Sequence, residues 1–402
     1  MKIKLCYLST YPPTHCGIAN YTYYLVNELL KLDQSIEIVI VAEKGSEKIK
    51  EGRLTCIPCF SREENYTSDI LGLISRLKPD LIHIQHEYTI YGFNNKFFGL
   101  LEALKKENLR VIVTMHEVHA PYTPKDKITY GVENLEKNHR KLGEVVDKIL
   151  VHSDLMKKQL VEYGVEETKI VVVPHGTKIM DENPAEAKKI FGFSENDKVI
   201  LSFGFIRKFK KERMLIEALP KILDKEPNTH LLLVGSIHPY SSTNDVEELK
   251  LRKDLVNNLR LGQHVKFIEK YVSEDEIEKI FGAADIIVCL HDQKFLEVSG
   301  SLHLGIGAGK PIVATRIPRF EEVEKISPET TFNVEEEDKM IDIILRLLTD
   351  KKFKDNVAEK IKKYAKETSW ENIAKKHLKI YREILGLSSE EDIKSSKKIM
   401  LL

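Results

Sequence analysis

The chain has 402 residues, 42% of them apolar, and its Lys+Arg and Asp+Glu counts are equal at 62 each, so the formal net charge is zero. That length exceeds what one hydrophobic core usually fills and predicts two domains. The balanced charge argues against a dedicated nucleic-acid binder or a polybasic membrane protein.

The N-terminus has too short an apolar run for a signal peptide, and no stretch reaches the ~18 apolar residues of a membrane span. The expectation is a cytoplasmic protein, at most peripheral on the inner face of the cell membrane. Five scattered cysteines (Cys6, Cys16, Cys56, Cys59, Cys289) make no disulfide framework and suit a reducing compartment.

The first apolar run, "IKLCYLS", leads into "TYPPTHCG", where Pro12 and Pro13 stiffen a loop ending at Gly17. Ile18, Tyr21, Leu25 and Leu29 then recur at helical spacing, while Tyr23 and Tyr24 read as packing. Two readings of Gly17 stand together: a glycine that lets a ligand approach the helix amides, or an ordinary strand-to-helix turn. "CIPC" has redox-motif spacing, but it lies beside a strand rather than at a helix start.

"IEIVIVAE", "DLIHIQH", "VIVTMHE", "KILVHS" and "KIVVVP" continue the series, with amphipathic helices between them such as Ile70, Leu73, Ile74, Leu77. Such runs read as parallel strands covered on both faces, hence βαβ units. His83, His86, His116 and His119 cluster with carboxylates, yet neither "HIQHE" nor "HEVH" has zincin spacing, and no metal site is expected. His116, at a strand end, is the candidate substrate contact; a satisfied structural histidine is the alternative.

After the polar stretch Thr177 to Lys198 a second series begins: "VILSFG", "HLLLVG", "VKFI", "DIIVCL" and "PIVAT". "GFIRKFKKER" places Arg207, Lys208, Lys210, Lys211 and Arg213 at a strand's carboxyl end, beside the start of a helix. Convergence on phosphate and a solvated charge run are both compatible with it, and the strand-end placement favours phosphate, with Arg207 and Lys210 chosen. Ser273 with Glu276 forms a capping box. In "FLEVSGSLHLGIGAGKPIVAT" the amides of Ser299, Gly300, Ser301 and Leu302 offer a second anion contact, and Glu297 is the carboxylate suited to sugar hydroxyls. The helix "SWENIAKKHLKIYREILG" carries a stripe of Ile373, Leu378, Tyr381 and Leu385. No P-loop, dinucleotide fingerprint, nucleophile elbow or kinase signature is present.

In this order the motifs resemble retaining nucleotide-sugar glycosyltransferases of the GT-B fold, the group 1 or family-four enzymes, over nearly the whole chain. The resemblance implies two doubly wound Rossmann-like domains facing a cleft: residues 1–178 on the acceptor side and 179–368 for the nucleotide sugar. A helix, 369–387, returns to the first domain, and 388–402 is a tail. It further implies that Gly17, Arg207 and Lys210 face the donor diphosphate, with the amides of Ser299 to Leu302 assisting. His116 would face the transferred sugar, Glu297 its hydroxyls, and Val272 the nucleobase. His15, Tyr88 and Tyr122 are acceptor-side candidates. No cofactor or metal is implied beyond the donor itself.

Two positions depart from the family pattern. Phe205 stands where an arginine usually follows the strand-end glycine, and Leu304 occupies the place of a second glutamate, Glu297 matching the first only after a one-residue shift. The implied activity is transfer of mannose or glucose from a GDP- or UDP-sugar to a sugar, glycan, lipid-linked or polyol acceptor. A UDP-sugar epimerase of the same fold and a non-catalytic sugar-nucleotide or glycan-binding protein are the alternatives.

Overall fold

The computed structural model describes residues 2–120, 134–237, 243–294 and 296–387. The chain divides into two compact units, the first comprising Met1–Gly176, Phe295–Val298 and Trp370–Leu402, the second Thr177–Lys294 and Ser299–Ser369.

The first unit contains, in order, β1 (Ile3–Ser9), α1 (Gly17–Leu32), β2 (Ile36–Glu43), β3 (Ile49–Glu51), β4 (Leu54–Phe60), α2 (Thr67–Leu77) and β5 (Leu81–His86). Then follow α3 (Tyr88–Tyr91), α4 (Asn95–Lys106), β6 (Arg110–Met115), β7 (Glu117–Val118), α5 (Leu135–Val145), β8 (Lys148–Val151), α6 (Asp154–Glu162) and β9 (Ile170–Val172). Its eight-stranded sheet runs β3-β4-β2-β1-β5-β6-β8-β9, and only β3 with β4 is antiparallel. The order reverses between β1 and β5, the switch point at which open α/β sheets take ligands at their carboxyl ends. The run "IKLCYLS" is buried at six of seven positions, as a strand covered on both faces must be.

The second unit begins with α7 (Pro184–Ile190), β10 (Lys198–Phe203), α8 (Glu212–Leu223), β11 (Thr229–Val234), α9 (Thr243–Asn258), β12 (Val265–Ile268), α10 (Glu274–Ala283) and β13 (Ile286–Cys289). After β14 (Leu296–Glu297) come α11 (Gly300–Gly307), β15 (Ile312–Thr315), α12 (Glu321–Ile326), β16 (Thr331–Phe332), α13 (Glu337–Thr349) and α14 (Lys351–Glu367). The sheet is parallel throughout, ordered β12-β11-β10-β13-β15-β16, with its switch point between β10 and β13. At the start of α10 the Glu276 carboxylate accepts from the Ser273 N–H at 3.2 Å, closing the expected capping box.

Two segments return to the first unit. β14 pairs antiparallel with β7, Leu296 opposite Val118 and Glu297 opposite Glu117. The final helix, α15 (Trp370–Ile384), sets Trp370, Ile373, Ala374 and Tyr381 into a core shared with Tyr21, Leu25 and Leu29 of α1. Trp370 stacks on Tyr24 at 5.4 Å, and a Cβ on Gly176 would fall 2.2 Å from its indole, so only glycine lets that ring seat. Tyr23, expected to pack, is instead 43% exposed. Among the described residues no helix is long and apolar enough to cross a membrane.

Candidate functional site

Part of the expected constellation, Lys210 and the start of α11, comes together in the second unit at the carboxyl end of β10. Gly204 follows the strand with φ +119°, which only glycine takes without strain, and a Cβ there would lie 3.5 Å from both Lys210 Nζ and Ser301 Oγ. The neighbouring strand end presses closer still: a Cβ on Gly235 would fall 2.0 Å from the Gly204 carbonyl oxygen. Lys210 donates to the Phe203 carbonyl at 3.0 Å and stands 3.3 Å from Glu212 Oε1. Burial lowers the proton affinity of its ammonium, and the Glu212 carboxylate works against that.

Ser299 caps α11 by accepting from the Leu302 N–H at 3.3 Å, and its hydroxyl lies 3.0 Å from Ser301 Oγ. Gly300 is the first helical residue; it is exposed, and a Cβ there would meet nothing within 4 Å. One ammonium, two hydroxyls and the positive end of an eight-residue helix therefore meet at one strand end, an arrangement suited to an anion.

Other expected contacts resolve differently. Arg207 is turned to Asp245, with Nη1 donating to Oδ2 at 3.0 Å while the Lys208 N–H donates to Oδ1 at 3.1 Å. Leu302 is fully buried and its N–H is consumed by the Ser299 cap, so it leaves the set of open amides. The Val272 side chain sits in the second unit's core at 6% exposure, which confines any ligand contact there to the main chain. Glu297, expected in the second domain, lies in β14 and belongs to the first unit beside Glu117, itself 3.4 Å from His119 Nε2.

In the first unit Gly17 opens α1. Its Cys16 N-cap makes no side-chain capping hydrogen bond to the helix, no acidic residue lies in the first turn, and a Cβ on Gly17 would meet nothing within 4 Å. The fold itself does not require glycine at that position. His116 is held on both sides: Nε2 is 2.9 Å from Gln85 Oε1 and Nδ1 3.1 Å from His152 Nε2, whose ring donates from Nδ1 to the Val173 carbonyl at 2.9 Å. Burial, then the neighbouring His152, holds His116 well below the usual histidine range. Gln85 Nε2 continues the chain to His83 Nε2 at 3.3 Å, and His83 meets Tyr381 Oη at 2.7 Å. Tyr88 is fully buried and stacked on His119 at 3.7 Å, which removes it as an acceptor contact; His15 is exposed, and Tyr122 lies outside the described residues. Burial pushes the Cys56 thiol of "CIPC" up to about 12, leaving a protonated strand thiol.

Sequence reading missed the acidic partners of the cation loop. Asp245, Glu248 and Arg252 share one face of α9 and are all buried, whereas Val246 and Leu251 are exposed. Their i, i+3, i+7 spacing was the available signal, because that spacing defines a helix face whatever its chemistry.

Two family models cover most of the chain: the one described as Glycosyltransferase Family 4 matches residues 16–179, and the one described as Glycosyl transferases group 1 matches 184–368. The D-inositol 3-phosphate glycosyltransferase of Corynebacterium urealyticum is 25% identical over 97% of this chain and 97% of its own. The alpha-monoglucosyldiacylglycerol synthase of Streptococcus pneumoniae is 23% identical over 78% and 71% respectively. Among solved structures, Anabaena Alr3699/HepE in complex with UDP superposes with a TM-score of 0.69 at 15% identity, covering 95% of this chain and 100% of that one.

Proposed function

Because the chain belongs to the group 1 glycosyltransferases, we propose that it transfers a hexosyl unit, glucose or mannose, from a UDP- or GDP-sugar to a polyol, phosphorylated polyol, glycan or lipid-linked acceptor. The anomeric configuration is retained in this reading. The observation that carries it is the meeting of Lys210, Ser301 and the first turn of α11 at Gly204. As the sugar–phosphate bond breaks, negative charge grows on the departing diphosphate, and a fixed ammonium with helix amides stabilises that charge more than it stabilises the ground state. These groups meet the charge without a metal, so turnover is expected to survive a chelator. The acceptor range is supported by relatives whose names specify inositol phosphate and a glucosylated diacylglycerol.

A panel of UDP- and GDP-hexoses followed by protection against thermal unfolding tests the donor. Protection by one donor class supports the reading, and no shift with any donor at millimolar concentration would contradict it. Incubation with the bound donor and no acceptor separates transfer from epimerisation, because an epimerase alone converts the donor sugar.

A further inference from the structure

α9 has a mixed buried face: toward its end Val256 enters the core with Leu255 packed against it, but over its first turns it buries Asp245, Glu248 and Arg252, the last only 2% exposed, and presents Val246 and Leu251 to solvent. Buried ion pairs are seldom better for stability than apolar packing of the same volume, so a charged interface of this kind invites an electrostatic explanation. Each charge is directed at the cation loop. Asp245 holds Arg207, and Glu248 Oε1 accepts from Arg213 Nε at 3.1 Å and Arg252 Nε at 3.2 Å. Arg252 Nη2 donates to the Arg207 carbonyl at 2.9 Å, and its Nη1 is bonded to Glu212 Oε2. The other Glu212 oxygen accepts from Ser202 and faces Lys210 at 3.3 Å. Four cations (Arg207, Lys210, Arg213, Arg252) thus stand against three carboxylates (Glu212, Asp245, Glu248).

We propose that Arg252 is a positioning residue for the donor diphosphate: by taking Glu212 Oε2 it weakens the hold of that carboxylate on the Lys210 ammonium, which pairs with Oε1 and stays at the Phe203 and Gly204 carbonyls. The guanidinium suits the task because it keeps its charge at every working pH. Burial lowers the proton affinity of Lys210, Glu212 opposes that, and Arg252 adds to the lowering, in keeping with two cations sharing one anion. The proposal rests on the reading of the second unit as the nucleotide-sugar unit.

The test compares wild type, Arg252→Met, and Arg252→Met combined with Glu212→Gln. Calorimetric affinity for UDP and GDP is the first readout; trace acetylation of Lys210 by acetic anhydride, mapped by mass spectrometry, is the second. Arg252→Met should weaken nucleotide binding about tenfold, the loss expected for one charge-assisted contact, and should slow Lys210 acetylation. The double variant should return to within about threefold of wild type in both, because the trapping carboxylate has gone. A merely structural Arg252 predicts affinity losses that follow the stability of each variant in a urea titration, with the rate of Lys210 acetylation unchanged across the series. That result, or a single variant indistinguishable from wild type, would overturn the proposal. If wild type binds neither nucleotide, the donor reading fails while the acetylation series still decides the role of Arg252.

Discussion

Replacing Gly300 by alanine should move stability and donor affinity in opposite directions. The residue opens α11 with φ outside the left-handed region, and an added Cβ meets no protein atom within 4 Å. Alanine therefore adds neither strain nor clash in the free protein, while it narrows the unfolded ensemble and improves helix propensity, a gain of about 0.4–1 kcal/mol at most. With an unfolding entropy of about 2.1 cal/mol/K per residue, that gain raises the melting temperature by only about 1 °C. A diphosphate seated on the first turn would meet the methyl group directly. Overpacking of this kind costs about 1–3 kcal/mol, which corresponds to about a 5- to 150-fold weaker donor. Calorimetric titration with UDP and GDP, with a melting curve on the same sample, reads both quantities. Unchanged affinity in a variant at least as stable as wild type would refute the placement of phosphate on α11.

Lys210→Met should lower kcat/KM by about 10- to 100-fold with little effect on unfolding, because Glu212 keeps Arg252 as a partner; initial rates and a denaturant titration check the two halves. Tyr381→Phe removes the hydroxyl that lies 2.5 Å from Tyr7 Oη and 2.7 Å from His83 Nδ1, both buried, and should cost about 1–3 kcal/mol in a urea titration. Burial holds His86 and His377 at about 4 and His139 at about 3, against an ordinary 6.5. The native state thus binds fewer protons than the unfolded chain between pH 6.5 and about 4. Stability is fully present above 6.5 and falls with acidification through that window, by up to about 1.4 kcal/mol per histidine per pH unit. Melting temperatures at constant ionic strength from pH 7.5 to 4.5 test the sign; a flat profile would mean these rings already carry charge in the fold.

The alternating strands and helices were legible because parallel strands buried on both faces must be apolar throughout: "IKLCYLS" and "IEIVIVAE" are β1 and β2 residue for residue. Lys210 and Ser301 were legible as strand-end and helix-start residues, and both meet at Gly204. Three features were not. β14 is two residues long, too short for any periodicity, so nothing local tied Glu297 to β7. Much of the buried face of α9 is charged (Asp245, Glu248 and Arg252, with Val256 at its end), and hydrophobic spacing cannot reveal the part that packs through ion pairs. Tyr88 was an acceptor-side candidate only through the family resemblance, whereas its burial among aromatic rings is set by Phe93 and His119 folding over it.

The most direct measurement is product analysis after incubation with each of UDP-glucose, UDP-galactose, GDP-mannose and GDP-glucose, with inositol phosphate, diacylglycerol and free hexoses offered as acceptors. The expected result is acceptor-dependent release of UDP or GDP, with a glycoside whose anomeric proton shows the same configuration as the donor. Binding of sugar nucleotides without nucleotide release under every acceptor, or conversion of the donor sugar alone, would contradict assignment of this chain as a retaining hexosyltransferase.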